Sequence, residues 1–158
     1  DPASPVLAWI VDQEPTAFTD EHNWPARLEQ TRRRGQEIRD AGSPHPTIVI
    51  DTSQFLGTRA ARWAAFNSAA ELTGHFNYPL RMRSPLVSLS TTGGIPQSVG
   101  KAVELAHERK PVWFVLQAFE AARYGWRMPE PSELRAMAYT ALIHGAIGAV
   151  HGRARADA

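Results

Sequence analysis

Residues 112–116 read VWFVL, five apolar side chains in a row, led in by Lys110 and Pro111 and ended by Gln117. A strand with one wet face alternates apolar and polar residues; a short continuous run suits a strand covered on both faces, as in a parallel sheet. Working outward, the same reading applies to residues 6–11 (VLAWIV), 47–50 (TIVI) and 147–150 (IGAV). A weaker run at 72–78 is interrupted by Gly74.

Helical patterns fill the intervals. Asn23 can cap, and Pro25 can occupy the first turn of, a helix running to about Ala41 and stopped by Gly42. Trp24, Leu28, Ile38 and Ala41 keep roughly one face of it, with Arg32, Arg33 and Arg34 on the solvent side. Residues 59–70 form a short Ala-rich segment carrying Trp63 and Phe66. Residues 96–109 place Val99, Ala102, Val103 and Ala106 on one stripe. Residues 131–144 open with Pro131 and carry Glu133 in the first turn, where a carboxylate favours the helix dipole. Leu134, Met137, Ala138, Ala141 and Leu142 follow at helical spacing.

The expected order is β-α-β-α-β-α-β-α-β, an α/β fold of parallel βαβ units whose functional edge lies at the strand C-termini. Two architectures share that order. One is a free-standing flavodoxin-like, three-layer ligand-binding domain; the other is a partial (β/α)8 barrel. One domain over residues 1–152 and a polar tail at 153–158 are expected.

Composition narrows the function classes. The chain has 158 residues, 43% hydrophobic and 21% charged, an ordinary globular balance. Its 17 Lys and Arg against 16 Asp and Glu leave a formal charge of +1, too weak a field to gather nucleic acid or an anionic membrane. The absence of cysteine excludes a disulfide scaffold, a thiolate metal site and a cysteine nucleophile. No apolar run is long enough to cross a bilayer. The start at Asp1, without Met or a signal region, is expected of a mature or excised piece. There is no GxGxxG, GK[ST], HExxH or GxSxG motif, so no cofactor or metal is expected.

Polar groups close every expected strand. Asp12 and Glu14, followed by Pro15, end the first, and Asp51 ends the second or caps the turn beyond it. His75, Asn77 and Tyr78 end the third; Gln117, Phe119 and Glu120 end the fourth; His151 ends the fifth. Rings that stack on sugar CH faces, beside amides that bond hydroxyls, are what a carbohydrate platform uses.

Several segments together resemble the glycoside-hydrolase-like TIM barrels related to clan-A enzymes. Residues 8–15 (AWIVDQEP) resemble their "aWyvaDEP" strand, 45–47 (HPT) their "HPt" lead-in, and 76–79 (FNYP) their "dpYP" strand end. Residues 110–119 (KPVWFVLQAF) are similar to "kPvwfvlQaf". Residues 131–139 (PSELRAMAY) with 141–146 (ALIHGA) are similar to "ptpeElRamaY.AlahGa.Gi". The matches span about residues 5–152. The resemblance implies strands four to eight of the barrel, a carbohydrate substrate and, for such proteins, a secreted or periplasmic setting. It puts the acid/base carboxylate at Glu14, with Asp12 the alternative catalytic carboxylate because Gln13 separates the adjacent Asp-Glu of the pattern, and puts Gln117 where clan-A enzymes keep their nucleophile. A second carboxylate would come from Glu120 or Asp51. Asp51, His75, Asn77, Tyr78 and Gln117 would contact the sugar, with Trp126 covering the site, and Trp9 and Phe119 would make the acid's surroundings apolar. A partial barrel has open edges, so a missing N-terminal half-barrel, a partner chain or a homodimer is expected to cover them.

Overall fold

A computed structural model describes residues 5–52, 58–81, 94–106 and 110–152. In chain order the elements are β1 (Trp9–Gln13), α1 (Trp24–Asp40), β2 (Thr47–Thr52), α2 (Thr58–Ser68) and β3 (Leu72–Phe76). They continue as α3 (Ile95–Leu105), β4 (Val112–Gln117), α4 (Pro131–Ile143) and β5 (Gly148–Gly152). The tail at 153–158, Ser53, Gln54, Gly57, Gly93 and His107 lie outside the described residues. Among the described residues, no helix is long and apolar enough to cross a membrane.

All five strands pair in parallel, in the order β1-β2-β3-β4-β5. Each strand adds beside the last, so the sheet has no reversal point. A flavodoxin-like sheet, ordered 2-1-3-4-5, needs one. That alternative therefore does not describe this sheet.

Register sorts the side chains between two faces. Val49, Thr73 and Val112 form one row, and Asp51, His75 and Phe114 the next, on the side where the helices pack. Phe114 and Leu116 join Ile95 and Val99 of α3 and Met137 and Ala141 of α4 in one core cluster. Val11 and Val49 join Leu28 and Phe66 in a second, and Trp63, Ala102 and Val112 make a third. Each fully buried large side chain contributes about 1.5–3 kcal/mol.

The opposite face packs by size. Ile50, Gly74, Trp113 and Gly148 stand in one row. A Cβ on Gly74 would lie 2.7 Å from Ile50 Cγ1, and one on Gly148 would lie 3.1 Å from the Trp113 ring. Gly74 therefore does not interrupt its strand. It is the gap that lets Ile50 and Trp113 share a row of alternating large and small residues.

The helix that follows β1 begins and ends at the expected residues. Asn23 stands at the start of α1, but its side chain turns back to Asp20 instead of capping the helix. Gly42 ends that helix at φ +72, as a left-handed stop should. At the N-terminal end of the sheet, Lys110 Nζ donates to the carbonyls of Asn67 and Ala70, taking up free acceptors past α2.

Both outer strands leave apolar side chains in water. Beside β1 these are Leu7 (68% exposed) and Ile10 (57%); at the α4–β5 end they include Ile143 (79%) and Ile147 (66%). Leu142, placed by spacing on the core stripe of α4, is also exposed. The upper corner of β1 is closed differently: the Gln13 N–H donates to Asp12 Oδ1 and the Gln13 carbonyl accepts from Arg27.

Candidate active site

The strand C-termini gather the expected carboxylates, but a bulge decides which one is open. Ile10 pairs with Ile48 while Asp12 pairs with Val49, so Val11 is an extra residue. The bulge turns Asp12 onto the helix side. There it accepts Arg27 Nε and Nη2 at 3.1 and 2.7 Å and Thr31 Oγ1 at 2.6 Å. Burial would push its carboxyl up, yet Arg27 and Thr31 hold it below the usual carboxylate range. Asp12 thus anchors β1 to α1, and every strong position around its carboxylate is taken.

Glu14 is the contrasting case. Its N–H donates to the Ile50 carbonyl at 2.7 Å, closing the strand, and its own carbonyl accepts from Ala17 and Phe18. Its φ of +50 is the one left-handed value at a non-glycine among the described residues. The residue before a proline ordinarily stays extended, so this backbone is doubly unfavourable. Its half-buried side chain makes no hydrogen bond or ion pair to a described residue, and burial alone pushes its carboxyl up. A strained backbone under an unpaired, destabilised carboxylate is a recognised mark of a working group.

Asp51 is fully buried at the end of β2. One carboxylate oxygen accepts the Thr16 N–H at 3.2 Å and a short bond from Thr16 Oγ1; the other accepts the Thr52 N–H. Burial pushes its carboxyl up to about 7 against those bonds, and the nearby charge of Glu14 adds to the rise. The same charge, after burial, raises the Tyr78 hydroxyl. Glu14, Asp51 and Tyr78 therefore share one electrostatic neighbourhood.

Tyr78 also heads an aromatic wall. It stacks on Phe76 at 4.6 Å and meets Phe119 and Trp126 edge-on at 4.9 and 5.4 Å. Trp126 comes back over the strand ends because Ala121 and Trp126 exchange main-chain bonds and Arg127 N donates to the Leu80 carbonyl. Arg127 grips Glu133, at the start of α4, with two nitrogens at 2.7 and 2.5 Å. The Trp126 loop is a braced wall, not a loose cover.

The remaining expected residues are placed elsewhere or are already engaged. His75 lies on the helix face, fully buried between Trp63 and Phe114 at 6.3 and 5.9 Å. Burial lowers its imidazole to about 3 against a smaller opposing pull from the Asp51 main chain, so it is a neutral core residue. Asn77 donates to Ser98 of α3. Gln117 is fully buried, accepting from Leu80 N and donating to the carbonyls of Leu80 and Arg127. Glu120 is exposed on the turn after β4, and His151 is exposed on β5. Trp9 bonds Ser43 at the opposite end of β1, and so is not part of the surroundings of Glu14.

Thr16, Arg62 and Arg127 escaped the sequence reading. Arg62 of α2 donates to the Thr19 carbonyl and to Glu21, pinning the turn after Glu14. No local spacing signals such partners, because each reaches across a gap in the chain. Among the described residues, no group of three His, Asp or Glu side chains is placed to hold a metal. No protein-family model matches the chain, and neither does any curated protein or solved structure.

Proposed function

We propose that this chain forms strands four to eight of a glycosidase-like (β/α)8 barrel, and that the completed barrel hydrolyses O-glycosidic bonds with Glu14 as proton donor. One observation carries the reading: Glu14 is a half-buried, unpaired carboxyl, raised by burial and set in a strained turn at a strand C-terminus. A carboxyl so placed keeps its proton nearer neutral pH and can protonate a leaving glycosidic oxygen. Tyr78 beside it offers a hydroxyl, and Phe119 and Trp126 offer ring surface to sugar CH groups. The sequential parallel order and the size-alternating inner row support the barrel. Three further βα units, from the same polypeptide, a partner chain or a second copy, cover the open ends.

A second carboxylate is needed as nucleophile or base. Asp51 is enclosed and bonded, which leaves Glu120, exposed after β4, for that role. A separation of about 5–5.5 Å from Glu14 in the complete barrel gives retention, and roughly 6.5–9.5 Å gives inversion.

A second reading, carbohydrate binding without hydrolysis, is favoured by Gln117. It occupies the place where clan-A enzymes keep a nucleophile, and its amide is fully committed to Leu80 and Arg127. An aryl-glycoside panel and glycan titrations on the wild-type chain and Glu14→Gln separate the readings. Turnover abolished by Glu14→Gln supports hydrolysis, and turnover that survives overturns the assignment of Glu14. Glycan binding without any turnover selects the second reading. Neither binding nor turnover, tested also with the barrel complete, removes both.

A further inference from the structure

We infer that Asp51 and Thr16 form a positioning device that holds Glu14 in its left-handed conformation. The inference takes its purpose from the reading of Glu14 as the working group, but its structural argument is independent of any reaction. A non-glycine residue in the left-handed region costs about 1–2 kcal/mol, so neighbouring bonds must hold it there. The bonds are local and convergent. Glu14 N is fixed on the Ile50 carbonyl, and two residues later both the N–H and the hydroxyl of Thr16 end on Asp51 Oδ2. Ile50 and Asp51 are consecutive residues of β2, so one short piece of strand grips both sides of Glu14–Pro15.

The rest of the turn is tied down in the same way. Thr19 Oγ1 donates to the Pro15 carbonyl at 2.6 Å, and Arg62 donates to the Thr19 carbonyl at 2.7 Å. Asp51 and Thr16 are themselves buried, so neither touches a ligand at the strand ends. Their effect on Glu14 passes through the main chain, which is why a carboxylate stays in a place that burial disfavours. Thr16 is the only side chain of residues 14–18 described as bonding to the Asp51 carboxylate.

The test is a double-mutant cycle between Thr16→Val and Glu14→Gly, read by chemical denaturation of the full chain. Glycine takes the left-handed conformation without strain, so the restraint has less to oppose in that background. The expected result is a folding equilibrium constant lowered about tenfold by Thr16→Val in the Glu14→Gly background, and less than about threefold beside Glu14, where release of the strained turn offsets part of the lost bonds. Thr16→Ser, which keeps the hydroxyl, is expected to leave the Glu14 carboxyl ¹³C titration in place, whereas Thr16→Val moves it toward the ordinary range. Equal losses in both backgrounds, or an unmoved Glu14 resonance in Thr16→Val, overturn the inference. Should Thr16→Val fail to fold, Thr16→Ala, which also removes the hydroxyl, is carried through the same cycle with the same criteria. No turnover is read, so failure here and failure of the glycosidase reading are separate results.

Discussion

Gln117 and Leu80 pair as two peptide groups would. The Leu80 N–H donates to Gln117 Oε1 at 3.0 Å and Gln117 Nε2 returns a bond to the Leu80 carbonyl at 2.9 Å. A third bond, to the Arg127 carbonyl, ties the Trp126 loop to the same amide. The side chain at the end of β4 is thereby a clamp between two connections that build the aromatic wall.

Gln117→Glu is therefore not a route to a nucleophile. The carboxylate would lose both donors and face two carbonyl oxygens, a loss of about 3 kcal/mol or more at neutral pH. The loss should shrink as pH falls toward the ordinary glutamate range, where the protonated carboxyl regains one donor. Urea denaturation at two pH values checks this; a variant as stable as wild type at neutral pH refutes the clamp.

His75 and Asp51 should tilt stability with pH in opposite senses. The folded-state imidazole lies at about 3, so as pH falls below the unfolded value of 6.5 the unfolded chain gains a proton that the folded chain refuses. Stability is lost on acidification through that window, and His75→Phe, between Trp63 and Phe114, should abolish that part of the loss. The Asp51 carboxyl is raised to about 7 from 3.8, so its contribution is present below 3.8 and is lost as pH rises to about 7. Asp51→Asn should remove that slope. Thermal midpoints from pH 4 to 8 measure both, and unchanged slopes in the variants contradict the assignments.

Gly74 should tolerate no side chain while Ile50 is present. Gly74→Ala puts a carbon 2.7 Å from Ile50 Cγ1 and 3.0 Å from the Val49 carbonyl, at an expected cost of about 1–3 kcal/mol. Adding Ile50→Ala should return part of it, because the carbonyl contact stays. Denaturation of the single and double variants decides the point, and a neutral Gly74→Ala would show that the Ile50–Trp113 row is loosely packed.

The exposed apolar residues of the α4–β5 end should make the isolated chain associate. Tyr139, Ile143 and Ile147 are each exposed there, and Ile143→Lys removes the most exposed of them without entering the core. Light scattering across a concentration series should show association that weakens in this variant. A chain that stays monomeric at high concentration would remove the need for a covering partner.

Much of the fold was readable in advance because its signals are local. Continuous apolar runs marked the strands, while Pro25, Gly42 and Pro131 marked helix ends by the torsions they allow. Glu14 was recognisable as a strand-end carboxylate for the same reason. Gly74 was misleading, since a missing side chain looks like weakness until the neighbour that needs the space is known.

The order of strands and helices and the set of polar residues at their ends were thus determined by the sequence alone. Which carboxylate is open was not. A one-residue bulge at Val11 sends Asp12 to Arg27, strand register sends His75 into the core, and Leu80 and Arg127 claim Gln117. When both faces of a strand are apolar, its sequence carries no mark of which face is which. Hydrogen bonds spanning 10 to 37 residues leave no periodicity to read. Only the packed chain assigns those side chains, because their partners come together only when it folds.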